Sequence, residues 1–404
     1  MKLTYPIIFI CLIVGFGCTK FTVEESLPDI TNISPSSMNS ELDRIHIVAD
    51  VDSFEYMYTF YGGDTQISAS IEYYNKHGIL LFEQSAKINI KGAGSANNPM
   101  KSLGIVFDDK VNNSAFQIIE TSQALPNDDL SQLQSIRLRN SGNDDGVTHL
   151  KDLSLAELAI RNSIDLELKY GKAVHAFVNG EYFGLLNLRT EVDRMGLSDL
   201  LGVNVDDITI MKMDTPNDDL DFREGDEQVA QALIDAIETE DGTALNQLLD
   251  IDNFIDYLIY EDYIGNIDWP QNNVRLYSVN GNKFRFLLYD LDGAATKNRA
   301  ARLPKMEYLE DDVSKIYQIL RNHDQGFIQT LEERQAEIYE VLSTTKFNAI
   351  VDDLSQNIHS EIGYLIKKWG APNSTLEWLM NVDKLKQDFQ VNDFYNRKLY
   401  ELLD

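Results

Sequence analysis

At 404 residues, with 43% apolar and 10% aromatic side chains, the chain has core material for two domains or two lobes, which excludes a disordered polymer. Acidic residues outnumber basic ones by 65 to 35, a formal net charge of -30, so a phosphate backbone or an anionic membrane surface would be repelled. Nucleic acid is thereby excluded as a partner, and the charge reads as the solubility of an exported protein.

Lys2 followed by an apolar run over residues 5–16 is shorter than the roughly 20 residues that span a bilayer, and it reads as an export signal covering residues 1–18. Both cysteines, Cys11 and Cys18, lie in this region, so nothing downstream can form a disulfide. Cys18 stands where a bacterial lipoprotein signal would be cut and lipidated, although Gly15 and Phe16 replace the common Leu and small residue. Residues 19–43, rich in Ser, Thr, Pro and Asn to about Ser40, are expected as a flexible tether between the lipid anchor and the folded body.

A β-rich N-terminal lobe is expected over residues 44–192. Alternating or β-branched and aromatic runs predict strands at 44–51, 67–74, 86–91 and 102–107, with turns at Gly62-Gly63 and His77-Gly78, forming a twisted antiparallel sheet. Another strand is predicted at 135–139, and Thr148 or Asp152 can cap a helix running to about Asn162. A hairpin of 173–178 and 182–189 is centred on Asn179-Gly180, the strongest two-residue turn signal. From 193 to 404 the pattern turns mainly helical, at 227–238, 244–249, 253–264 and from about 313 to the end. A second hairpin, 274–279 and 283–289 around Asn280-Gly281, interrupts it. The expected class is α+β.

The segment from Ile251 to Gly293 carries the strongest chemical signal. An apolar-striped helix leads into Asn266-Ile-Asp268-Trp-Pro-Gln-Asn-Asn273, and the hairpin then delivers Asp290-Leu-Asp292-Gly293. An Asp followed five positions on by an Asn, then two strands, then an Asp leaving the second strand, is a layout used by phosphoryl-transfer enzymes of the protein-kinase type. There the first Asp orients or deprotonates the attacking hydroxyl while the Asn and the last Asp hold Mg²⁺. Asp268, Asn273 and Asp290 are therefore candidate catalytic residues. Asp290 and Asp292 share a face if strand geometry persists, so Asn273, Asp290 and Asp292 are candidate metal ligands, with Asn272 a further amide oxygen for a hard cation. A structural Ca²⁺ loop is the rival reading, but its ladder of further oxygen ligands is missing.

Phosphate needs backbone N–H groups or cations around it. The turn Gly92-Ala-Gly94-Ser95 after a predicted strand lets the main chain come close, so Gly92, Gly94 and Ser95 are candidates, with the alternative that this is only a turn. Lys101, opening the next strand, could reach back to the α and β phosphates or be a solvated edge lysine. Glu157 on the following helix could pair with it, or Asp152 or Glu191 could serve instead. Glu191 lies at the junction between lobes, where a base and ribose would sit. Other chemistries fare poorly. The histidines at 46, 77, 149, 175, 323 and 359 are scattered, the body of the chain has no thiol, and no Gly-x-Ser-x-Gly elbow occurs.

These segments together resemble the CotH family of atypical, kinase-like proteins. The resemblance rests on Ile90-Lys-Gly-Ala-Gly-Ser95, Met100-Lys-Ser-Leu103, Ile136-Arg-Leu-Arg-Asn140 with Asp144 or Asp145, and Val178-Asn-Gly-Glu-Tyr-Phe-Gly184 with Glu191. Asn266 to Asn273 and Leu288-Tyr-Asp-Leu-Asp292 complete it. The glycine turn differs from the family's Arg-Gly-Asn-Ser type, and Lys101 stands alone where the family has paired basic residues. The resemblance implies a two-lobe fold akin to protein kinases, ATP and Mg²⁺ (or Mn²⁺) as cofactors, and a protein substrate with Ser or Thr acceptors. By position, Asp268 becomes the catalytic acid residue of the loop, Asn273 and Asp290 the metal ligands and Lys101 the phosphate-binding lysine. The expected protein is an exported kinase, lipid-anchored to the bacterial cell envelope and touching the membrane through that anchor alone. The alternatives are a catalytically silent surface lipoprotein of the same fold, binding a partner protein or polysaccharide, and a carbohydrate-active lipoprotein.

Overall fold

The computed structural model describes residues 4–6, 22–24, 26–61, 65–112, 116, 132–213, 219–296 and 303–403. Cys11, Cys18 and most of the expected export signal lie outside the described residues. Thr4–Pro6 pairs antiparallel with Thr22–Glu24.

Period-two alternation drives the N-terminal half into strands with one buried face. In chain order these are β1 (Arg44–Ala49), β2 (Ile67–Tyr74), β3 (Leu80–Lys91), β4 (Ser102–Asn112), β5 (Gln132–Arg139), the short β6 (Glu167–Leu168), β7 (Gly171–Val178) and β8 (Glu181–Thr190). All but β6 form a closed barrel in the order β8-β5-β4-β3-β2-β1-β7. Every pairing is antiparallel except β1 with β7, which is parallel and sets Arg44 opposite His175. The expected twisted antiparallel sheet closes into a barrel. Its closing contact joins strands far apart in sequence, which alternation within each strand does not encode.

Helix α1 (Val51–Thr59) follows β1 and was not expected. Asp50 caps it by accepting the Ser53 N–H at 2.9 Å, but Met57 alone of its residues is buried, so its apolar period is faint. Helix α2 (Lys151–Arg161) follows β5. The Asn179-Gly180 turn forms as expected, with φ of 49° and 85°, the left-handed pair a two-residue hairpin requires.

The C-terminal half begins with α3 (Arg194–Leu201), then β9 (Ile208–Met213), β10 (Asp221–Glu224), α4 (Glu227–Glu238), α5 (Gly242–Leu248) and α6 (Ile251–Ile264). The hairpin β11 (Val274–Val279) and β12 (Arg285–Leu288) follows. Helices α7 (Asp312–His323), α8 (Gln325–Val341), α9 (Thr344–Ile358), α10 (Ile362–Trp369) and α11 (Thr375–Leu403) complete it. Where one hairpin was expected there is a five-stranded sheet in the order β10-β9-β11-β12-β6, whose β12–β6 edge is parallel.

The class is α+β, with a β-rich N-terminal region and a mainly helical C-terminal region. One continuous apolar core runs from Ile45 in β1 to Phe389 in α11. Indole N–H groups stitch the two ends together: Trp369 donates to the Phe183 carbonyl at 2.8 Å and Trp378 to that of Thr148 at 2.9 Å. The later part of the expected tether is packed as well. Met38 is buried against Phe177 and Tyr182, and the buried Arg44 guanidinium donates to the carbonyls of Met38 and Ser40. Among the described residues no helix is long and apolar enough to cross a membrane.

Candidate functional site

Helix α6 is buried at every residue from Asn253 to Ile264, and Gly265, with φ 65°, ends it. The chain then turns tightly. Asn266 donates its side-chain N–H to Glu261 at 3.0 Å and accepts the Asp268 backbone N–H at 3.2 Å. The Asp268 carbonyl in turn accepts the Asn272 N–H at 2.9 Å, while Trp269 is fully buried, edge-on to Tyr257. Asp268 is thus fixed by its backbone with its carboxyl half-buried.

Strand β12 ends two residues before Asp290, whose φ of 61° bends the chain into the short turn Leu291–Gly293. This turn meets the Asp268 loop: the Ile267 N–H approaches the Gly293 carbonyl at 3.5 Å, and a Cβ on Gly293 would lie 2.7 Å from Asp268 Oδ2. Burial raises the Asp268 carboxyl above the usual range, and the Asp290 charge raises it further. The sequence pairing of Asp268 with Asp290 is therefore a spatial one.

Asp292 is buried where Asp290 is partly exposed, yet both carboxylates pair with the same nitrogen of Arg139, so they lie beside one another. The Asp292 Oδ2 accepts Arg139 at 2.7 Å and the Asn143 N–H at 3.0 Å, and its Oδ1 accepts the Asn143 amide at 3.0 Å. Arg139 also pairs with Asp290 and, at 3.4 Å, with Asp152. Asp152 is not a helix cap as expected: it accepts the Leu291 N–H at 3.0 Å and pairs with Arg189 at 2.7 Å. Two side chains hold the chain entering α2: the Asp144 carboxylate accepts the backbone N–H groups of Thr148, Leu150 and Lys151, each at 3.0 Å, and the hydroxyl of the expected Thr148 accepts the Leu150 N–H at 3.1 Å. Burial pushes the Asp292 carboxyl up to about 7; Arg139 opposes this, and the charges of Asp290 and Asp152 add to it.

A second charged group adjoins the first. Glu191 accepts Arg137 at 2.7 Å and Lys169 at 3.0 Å. Burial opposes its ionisation, but Arg137, Lys169 and the charge of Lys91 hold it well below the usual carboxylate range. Burial, then Arg137, lowers the Lys169 ammonium to about 7. Arg137 and Arg139 alternate with the buried Ile136 and Leu138 on β5, so they share the opposite face. The sequence reading missed Arg137, Arg139, Lys169 and Arg189 as site residues; the alternating Arg137-Leu-Arg139 was the available signal.

The glycine turn is one layer away. Gly94–Asn97 forms a short helical turn, Gly94 faces open space where a Cβ would stand, and the Ser95 carbonyl accepts Asn140 at 3.3 Å. Asn98 donates to Asp145 at 3.0 Å, tying this turn to the one that holds Asp292 through Asn143. Lys101 and Glu157, expected to pair, do not meet. Lys101 bends back over the turn, donates to the Ala96 carbonyl and to that of Asn98 at 3.4 Å, and stacks 4.1 Å from the Tyr61 ring centre. Glu157 pairs instead with Arg161, one helical turn on, at 3.0 Å. Sequence spacing fixed neither side chain's direction.

Among the described residues no three His, Cys, Asp or Glu side chains form a metal-holding group. The candidate donors are the carboxylates of Asp268 and Asp290 and the amide oxygen of Asn273, which follows directly on the Asp268 loop. They are hard oxygens suited to Mg²⁺, and the like charges of Asp268 and Asp290 are what a divalent cation would neutralise. A cavity of about 800 Å³ lined by Asp219, Asp312, Lys315 and His323 shares none of these residues. No curated protein matches the chain. A family model described as "CotH kinase protein" matches residues 88–392, which takes in the glycine turn, β5, Glu191, the Asp268 loop and the Asp290 turn, and the chain belongs to that CotH kinase family.

Proposed function

We propose that the chain is an exported, lipid-anchored kinase with a two-lobe kinase-like fold, transferring the γ-phosphoryl group of ATP to Ser or Thr hydroxyls of a protein. The observation that carries this reading is the meeting of the Asp268 loop with the Asp290 turn. Asp268, half-buried and with a raised carboxyl, orients the acceptor hydroxyl and takes its proton. Asn273 and Asp290 would hold Mg²⁺ or Mn²⁺, which when bound neutralises phosphate charge. Asp292 anchors the turn by its bonds to Arg139 and Asn143. The phosphate-binding role expected of Lys101 falls to Lys169 and Arg137, which Glu191 holds in place as a helix glutamate holds the strand lysine in kinases. The export signal and Cys18 support the envelope location from sequence.

Nucleotide binding and phosphate transfer by the full chain, with Mg²⁺ or Mn²⁺, test this reading. Asp268→Asn should lower transfer by about 10²- to 10⁴-fold with nucleotide binding retained, the range for loss of a general base. Asp290→Asn should weaken metal-dependent binding itself. If the wild-type chain binds no nucleotide in the presence of metal, the fold serves to bind a partner protein or polysaccharide instead.

A further inference from the structure

On the face of the barrel strands opposite the core, Gly104 of β4 pairs with Asn89 of β3 on one side and with Arg137 of β5 on the other, so the three stand in one row. The glycine leaves a notch in that row, and Lys91 crosses it. A Cβ on Gly104 would lie 2.5 Å from the Lys91 Cε, 3.0 Å from its Cγ and 2.6 Å from the Asn89 Oδ1. Lys91 thus lays its stem over the bare backbone of β4, an approach that a side chain at 104 would block. Its charge reaches Glu191, the partner of Arg137. Three cations, Lys91, Arg137 and Lys169, act on that single carboxylate. Lys169 binds its Oε2, and Arg137 binds its Oε1 through Nε alone. Among the described residues the Arg137 Nη groups, the Lys91 ammonium and the Asn89 amide make no hydrogen bond, and Lys91 enters no ion pair. In a chain of 65 acidic and 35 basic residues, cations gathered in excess of their carboxylate are an exception, and a multiply charged anion is what would neutralise them.

We propose that the Gly104 notch is a phosphate subsite, in which the Lys91 ammonium and the Arg137 Nη groups, with the Asn89 amide beside them, hold one phosphoryl group. The assignment rests on the nucleotide reading above and deepens it, adding Lys91 and Asn89 to Lys169 and Arg137. Lys91 is the last residue of β3 and leads straight into Gly92-Ala-Gly94-Ser95, so the lysine and the backbone N–H groups of that turn stand at the same end of the strand. Arg139 and Arg189 cannot take this part, since Arg139 is held by Asp290, Asp292 and Asp152 and Arg189 by Asp152. The rival role for Lys91 is to shield the buried charge of Glu191. That role predicts a loss of stability without a loss of anion binding.

Isothermal titration calorimetry on the full chain, with ATP and with tripolyphosphate, each in the presence of Mg²⁺, separates these roles. Lys91→Ala should weaken binding of both probes by about ten- to a hundredfold with the unfolding midpoint unchanged, and Lys91→Arg should restore most of it. Gly104→Ala keeps every charge but pushes the lysine stem aside. It should weaken binding in the wild-type background and add little to Lys91→Ala, a coupling that a purely structural lysine would not give. ATP bound with unchanged affinity by Lys91→Ala overturns the subsite and leaves the nucleotide reading standing. Tripolyphosphate bound through Lys91 by a chain that binds no ATP keeps the subsite and removes that reading. Binding of neither probe by the wild type overturns both.

Discussion

Arg139 serves three carboxylates at once, and the residues around it are constrained accordingly. Gly142, at φ 62°, has no room for a side chain, since a Cβ there would overlap Asp292 Oδ2. Gly142→Ala should therefore cost about 1–3 kcal/mol of stability in denaturant unfolding and lower activity with it, because Asp292 must move. Glu261 sits under the Asp268 loop with burial holding its carboxyl at about 8, against 4.5 for an ordinary Glu. Between those values the folded chain keeps a proton that the unfolded chain has released, so stability falls as pH rises from about 4.5 to 8. Glu261→Gln still accepts from Asn266 but cannot titrate. Its unfolding midpoint should fall less than that of the wild type between about pH 5 and pH 8, and equal slopes would exclude a protonated Glu261. Asp268 and Asp290 were legible in sequence because each stands in a short motif of fixed spacing. Lys169 was not: its partner Glu191 lies 22 residues on, just past the end of β8, and only the fold brings them to 3.0 Å.

At the scale of elements, local chemistry and tertiary burial divide the work. The two Asn-Gly turns were legible because left-handed backbone at both positions leaves few residue choices. Gly180 has nothing within 4 Å of a built Cβ, so Gly180→Ala isolates the backbone term and should cost about 1–2 kcal/mol, measured by chemical unfolding. A change smaller than for Gly142→Ala would separate strain from collision. Helix α6 was legible as an apolar segment although it is buried all round. Strand β9 was not, because Ile208–Met213 lies in a region of helical composition and pairs with β11 more than sixty residues on. Helix α1 escaped for the opposite reason, as its surface is mostly solvent-facing.

For the molecule as a whole, the net charge of -30 is a repulsion spread over the surface, whereas pairs such as Lys169–Glu191 are buried. Added salt screens the first far more than the second, with a Debye length of about 8 Å at physiological strength. The melting temperature should therefore rise between about 0.02 and 0.3 M NaCl, read by differential scanning fluorimetry. A fall would place the dominant electrostatics in exposed attractive pairs. The division into β-rich and helical halves was legible from composition, but the barrel was not, because its seam is a pairing between remote segments. That seam also sets an order of events. A chain emerging N-terminus first leaves β1 without its parallel neighbour until β7 arrives roughly 130 residues later, so the barrel has no closed form on a partly emerged chain. Two strand edges stay open throughout that interval, which makes the nascent N-terminal half the stage most in need of a holding chaperone and the one at which truncated chains would aggregate.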